Sequence, residues 1–186
     1  EKGTVRGTIW PVLHAYGVTF RVMHGFGSAT TLNSVATMSA YSEKPLTVLY
    51  VGDYDCSGMC MSEVDIPQRL ERYSGKATIR RIALTADDVA PGTSLPSFEA
   101  ETKTGDSRYQ WFVSRYGNKC WELDAMSPVD LRQRVESAIL DMLDTDAWNH
   151  ARAIEQVEIA SMREFQQHWK ESISRLGANC SHGAQP

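Results

Sequence analysis

The chain has 186 residues, enough for one domain with a sizeable core, and a formal net charge of −4. That balance excludes a broadly basic nucleic-acid coat but leaves room for a local basic groove or a metal-bridged phosphate contact. No apolar run approaches the roughly 20 residues that span a bilayer, and no secretory signal is visible, so no membrane association is expected. The opening on Glu1 rather than methionine leads us to expect further domains upstream. Cys56, Cys60, Cys120 and Cys180 lack zinc-ligand spacing and are expected as free thiols of a reducing, cytoplasmic compartment.

In chain order, residues 4–16 predict a helix; a start near Thr8 would put Pro11 in the first turn, where a missing N–H costs little. Residues 18–23 read as a strand. Gly25-Phe26-Gly27 follows, and Ser28 is placed to cap a helix to about residue 40. The run 46–51 is a strand whose near-continuous apolar character suits the middle of a parallel sheet. A helix over 58–73 and a strand over 78–84 come next. Residues 87–104, with Pro91, Gly92 and Pro96, read as loop. A short helix over 107–116 turns Trp111 and Phe112 inward, and 119–123 is a last strand. Ser127-Pro128-Val129-Asp130 is a helix start with a serine cap, a proline at the first position and a carboxylate in the first turn. That helix runs to about 143.

A second helix opens near Thr145 and runs to about 176. Its stripe of Ile154, Val157, Phe165, Trp169, Ile173 and Leu176 suits packing against this domain or a partner, a second copy included. The organisation expected is therefore an α/β domain over 1–144, a helical extension over 145–177 and a disordered tail over 178–186. Strand–helix alternation predicts an open, mostly parallel α/β sheet with helices on both faces, plus C-terminal helices. In such sheets ligands bind beyond the carboxyl ends of the strands.

"LTVLYVGDYDCSG", residues 46–58, ends such a strand on two carboxylates. In an extended backbone Asp53 and Asp55 project to the same side and Tyr54 to the other. Two hard oxygen ligands there suit Mg²⁺, which keeps several waters and bridges to phosphates. Gly52 and Gly58 permit a tight turn and close approach to a ligand. The competing reading is a turn in which Asp55 or Ser57 caps the next helix. "CWELDAMSP" sets Glu122 and Asp124 two apart, again between a strand and a capped helix; a cap partner or a surface salt bridge is the plainer reading of Glu122. Glu1 is a third acidic position at a strand end, provided a strand precedes it. "HGFGSAT" is suited to cradling a phosphate at the start of the Ser28 helix, but it lacks a Walker lysine. Lys76, Arg80 and Arg81 form a short basic patch, read as a DNA contact or a solvated edge. His14 and His24 lie near the sheet and are expected to be structural.

The ordered set "EKGTVRG", "HGFGSAT", "YVGDYDCSG", "KTGDSR" and "WELDAMSP" resembles the Toprim domain, shared by topoisomerases, bacterial primases, overcoming-lysogenization-defect nucleases and recombination proteins. It is most similar to the branch of the topoisomerase VI A subunit, the meiotic double-strand-break proteins and their bacterial relatives in plasmid and phage defence. The resemblance covers roughly residues 1–145. Cys56 stands where that branch usually has proline, which alters turn stiffness and removes no ligand. The resemblance implies a Toprim-like fold and Mg²⁺-dependent phosphodiester chemistry on DNA, with Mn²⁺ as an alternative metal. It implies Glu1 as general acid/base or metal ligand, Asp53 and Asp55 as Mg²⁺ ligands, and Glu122 and Asp124 as a second metal position. Lys103 and Arg108 are candidates for neutralising phosphate charge, with ordinary loop solvation as the competing reading. Asp106 is placed to orient one of them. Ser57, Gly58 and Ser28 complete the candidate phosphate contacts.

The winged-helix domain that carries the nucleophilic tyrosine in topoisomerase VI-like proteins has no counterpart in this sequence. The chain is therefore expected to serve within a larger protein or complex, or to hydrolyse DNA with water as nucleophile. Two other readings stand beside this one. A catalytically degenerate Toprim would act as an interaction module through its terminal helix. A phosphatase of the haloacid-dehalogenase type is loosely imitated by Asp53-x-Asp55-x-Ser57, though that motif normally lies on the first strand.

Overall fold

The computed structural model describes the backbone of residues 3–23 and 28–180 and the side chains of 5–23 and 28–175. Glu1 and the residues 24–27 of the "HGFGSAT" segment, His24 among them, lie outside the described residues. The chain divides into two units, Glu1–Asp141 and Met142–Pro186.

In the first unit the elements run α1 (Gly3–Ala15), α2 (Ala29–Tyr41), β1 (Thr47–Tyr50), α3 (Cys56–Cys60), a π-helical turn (Met61–Asp65), α4 (Ile66–Arg72) and β2 (Thr78–Arg81). They continue with β3 (Phe98–Glu99), a 3₁₀ turn (Ala100–Lys103), α5 (Tyr109–Tyr116), β4 (Lys119–Cys120), a second 3₁₀ turn (Leu123–Ala125) and α6 (Pro128–Leu140). The second unit contains α7 (Thr145–Cys180).

β1 and β2 pair in parallel, Thr47 opposite Thr78 and Tyr50 opposite Arg81. Their side chains alternate between two apolar clusters, as a strand period of two requires. Leu46, Val48, Tyr50, Ala77 and Ile79 join Leu32, Val35 and Ala36 of α2 and Ile66 and Leu70 of α4. Leu49, Val51, Ile82 and Leu84 join Ile9, Val12 and Leu13 of α1, Phe112 of α5, and Leu131, Val135 and Ile139 of α6. Helices therefore cover both faces of this ladder, which is why the β1 segment reads as an unbroken apolar run.

The sheet is smaller and less parallel than expected. β3 and β4 pair antiparallel. Beyond β1, Tyr54 bridges Trp121 antiparallel through reciprocal backbone bonds of 2.8 and 3.0 Å. The predicted strand over 18–23 does not form; its alternation arises because Val18 and Phe20 pack on the α1–α5–α6 cluster, not from ladder pairing. Within 87–104, expected as loop, β3 and a 3₁₀ turn form. α1 starts at Gly3, so Pro11 lies inside it rather than in its first turn. The Gly7 carbonyl thus lacks its usual i+4 amide, at an exposed position where water can serve.

Three cap features match the sequence chemistry. Ser28 Oγ accepts from Thr31 N–H at the start of α2 and Ser127 Oγ from Asp130 N–H at the start of α6, with Pro128 at the first position. Cys56, Cys60 and Cys120 are free thiols. No helix among the described residues is long and apolar enough to cross a membrane. In the second unit, Ile154, Val157, Phe165, Trp169 and Ile173 of α7 are exposed, and the Phe165 and Trp169 rings stack at 6.5 Å between centroids.

Candidate functional site

The parallel strand β1 runs out at Gly52, and the chain turns through Asp53, Tyr54 and Asp55 into α3. Tyr54 is buried against Phe112, Tyr116 and Trp121, with ring centroids 5.7–6.1 Å away. The two aspartates leave on the other side. Asp53 is half-buried and its Oδ1 accepts the Leu123 N–H at 2.7 Å. Asp55 is the N-cap of α3: its Oδ1 accepts the Gly58 N–H at 2.7 Å, and the residue is only 4% exposed. The capping reading of Asp55 therefore holds geometrically, and it leaves the second oxygen, Oδ2, to pair with the Lys103 ammonium. Gly58 has a steric reason to be glycine, since a Cβ there would lie 2.1 Å from the Asp53 carbonyl oxygen.

The turn is gripped from beneath by Arg81 of β2. Its guanidinium donates to the carbonyls of Gly52 (3.0 Å), Asp53 (3.1 Å), Gly58 (2.9 Å), Ala83 and Leu84 (both 3.3 Å), and to Ser62 Oγ (3.2 Å). It also lies 5.0 Å from the centre of the Tyr50 ring. Burial of the guanidinium pushes its pKa below the usual arginine value, offset in part by Tyr50, Glu63, Tyr54 and Asp55. Leu84, held on its carbonyl by this group, has φ of +49°, a strained setting for a leucine. Arg81 is thus a structural clamp and not part of a basic surface patch. Its neighbour Arg80 points the other way, to Asp141 at 3.0 Å.

Two further cations stand at the turn. Lys103 ends the first 3₁₀ turn; its side chain is 32% exposed and its ammonium lies 5.4 Å from the centre of the Phe98 ring. Burial works against the charge of Lys103, but the hydrogen bond to Asp55 and the charge of that carboxylate outweigh it, and its pKa is raised. Arg108 is held by Asp106 through both carboxylate oxygens, at 2.6 and 2.5 Å, and offers Nη1 to Ser57 Oγ at 3.3 Å. The hydrogen bond from Arg108 holds the Asp106 carboxyl below the usual carboxylate range, against the opposing effect of burial. The thiols of Cys56 and Cys120 are pushed up chiefly by burial, Cys120 to about 12, so they stand as neutral thiols rather than nucleophiles.

Asp53, Asp55, Ser57, Gly58, Lys103 and Arg108 therefore belong to one neighbourhood. Glu122 and Asp124 lie on exposed chain beside Leu123, whose amide contacts Asp53. Among the described residues, no three His, Cys, Asp or Glu side chains converge as a metal-holding group, so Glu122 and Asp124 do not complete one with Asp53 and Asp55. Ser28 bonds to Thr31 as a helix cap, its hydroxyl 2.9 Å from Thr31 Oγ1. Sequence reasoning missed Arg81 as a site element, because adjacent arginines on a short strand look alike until their facing is known.

No protein-family model, curated protein or solved structure matches this chain. The donor set of Asp53 and Asp55 consists of hard carboxylate oxygens suited to a divalent cation.

Proposed function

We propose that this chain is a Toprim-type domain acting in Mg²⁺-dependent phosphodiester cleavage of DNA, within a larger protein or complex. The observation that carries the reading is the pair Asp53 and Asp55 at the carboxyl end of a parallel strand, with Lys103 and Arg108 beside them. Acidic ligands and cationic donors at one strand end are what a metal-bridged phosphate needs. Mg²⁺, held by Asp53 and Asp55 with Glu1 as the further ligand or general acid/base, would polarise the phosphate and stabilise charge on its oxygens. Arg108, oriented by Asp106, supplies a fixed forked donor for a phosphate oxygen, and Lys103 supplies a point charge. Ser57 at the α3 start adds a hydroxyl. Tyr54 is packed in the core and is not the nucleophile; the attacking group we assign is water, or a tyrosine brought by an upstream domain.

The test is Mn²⁺ and Mg²⁺ titration of the wild type and of Asp53→Ala/Asp55→Ala, followed by cleavage of supercoiled plasmid. The reading expects binding that the double substitution removes. A wild type that binds neither ion, or a double variant that binds as well, counts decisively against it. A second reading, a catalytically degenerate Toprim serving as an interaction module, is favoured by one observation: the chain's own donors, Gly58 N–H and Lys103, already engage both oxygens of Asp55. Metal binding without cleavage would select it.

A further inference from the structure

We propose that Lys103 is a displaceable internal cation, so that its pairing with Asp55 and the binding of a divalent ion exclude one another. The inference rests on the metal-dependent reading above and adds to it how the site is kept before the metal arrives.

Asp55 cannot turn away from Lys103. Its Oδ1 is fixed by the Gly58 amide, its backbone is set at the cap of α3, and it is buried. The oxygen left over is the one that carries the Lys103 ammonium. An ammonium and a divalent ion on one carboxylate oxygen repel each other in a partly desolvated place, so only one resides there at a time. Of Lys103 and Arg108, Lys103 is the one built to leave. It has a flexible four-carbon stem, sits at the end of a short 3₁₀ turn and keeps about a third of its side chain, 32%, open to solvent. Arg108 is clamped by Asp106 through two side-chain bonds and by the bond from its own N–H to Asp106 Oδ1 at 2.9 Å. Without metal, Lys103 balances the charge of a buried aspartate that would otherwise be costly. With metal, it is released beside Arg108, where a phosphate brought by the ion would meet it. The two states are linked, so removing the ammonium must strengthen metal binding.

The experiment measures Mn²⁺ affinity calorimetrically for the wild type, Lys103→Gln, Lys103→Met and Asp53→Ala/Asp55→Ala, with circular dichroism to confirm folding. Acetylation of Lys103 in the wild type, read by peptide mass spectrometry with and without Mn²⁺, gives a second readout that needs no substitution. The expected result is roughly fivefold or tighter Mn²⁺ binding in the Lys103 variants, and Lys103 acetylation that rises when Mn²⁺ binds. If Mn²⁺ binds through Asp53 and Asp55 but the folded Lys103 variants bind no tighter, or acetylation is unmoved, the exclusion is wrong and the metal-dependent reading stands. If no variant, and not the wild type, binds Mn²⁺, both fall. Should the variants not fold, the acetylation result decides alone.

Discussion

A Cβ on Gly58 would meet the Asp53 carbonyl at 2.1 Å, backbone against side chain, with no flexible group to give way. Gly58→Ala should therefore cost about 1–3 kcal/mol in urea unfolding; an unchanged midpoint would mean the close approach is absent. Arg81→Met should cost about 3 kcal/mol or more, because it removes the charged donor shared by the carbonyls of Gly52 and Asp53 and leaves that of Gly58 only its Ser62 and Met61 donors. Arg80→Met, whose partner Asp141 is exposed, should change stability by about 0.5 kcal/mol or less. The contrast between neighbours is the check. Asp106 gives a pH signature. Its pairing with Arg108 lowers the folded pKa below the ordinary 3.8, so the pairing stabilises the fold fully above that value and the contribution is lost as pH falls through the lower, folded pKa. The stability gap between wild type and Asp106→Asn should be constant from neutral pH down to about pH 4 and close below it. A gap independent of acid would remove the ion pair from the explanation. At this scale Lys103 and Arg108 enter only through the family resemblance, whereas the two aspartates are legible in the sequence as charge placed at a strand end. Arg81 is not, because its role depends on which way a four-residue strand faces.

Among the elements, the ones with chemical punctuation are legible. Ser28 and Ser127-Pro128 start α2 and α6 where cap chemistry says they should, and Ser127→Ala should lower stability by about 1 kcal/mol in denaturant titration. α1 is the instructive departure. Avoiding Pro11 would delay its start to Thr8, yet Ile9, Val12 and Leu13 are all buried, and the packing of that face carries the helix through the proline. The cost is still stored there: Pro11→Ala should stabilise the fold by about 1–3 kcal/mol, the range left after the unfolded chain gains freedom. No gain would place the Pro11 ring in a contact the core needs. The segment 18–23 has a strand's alternation without a strand's ladder, since periodicity reports which side is buried and is silent on hydrogen-bond partners. The helix after Asp55 is also not uniform. Ile66 N–H reaches back five residues to the Met61 carbonyl, and Pro67 brings no amide to the ladder one residue later.

At the level of the whole chain, the apolar run of β1 announces burial on both faces, and that is what its alternating contacts with two helix-lined clusters deliver. Strand direction was not legible: β3 and β4 are two residues each, too short for a pattern, and they pair antiparallel. The division at Asp141 has a direct physical consequence. Every buried apolar side chain among the described residues lies at or before Ile139. α7 contributes none of them, and its Val157, Met162 and Phe165 are 67–72% exposed. Removing residues 142–186 therefore takes away none of these buried side chains. It also leaves intact the Arg81 grip, the Asp55 cap and the Asp106–Arg108 pair, all of which lie within the first unit. A chain ending at Asp141 should unfold in a single cooperative transition, with a midpoint within about 5 °C of the full chain, and should keep whatever Mn²⁺ affinity the full chain has. A truncated chain that is unfolded by circular dichroism would show that these buried side chains alone do not hold the first unit together.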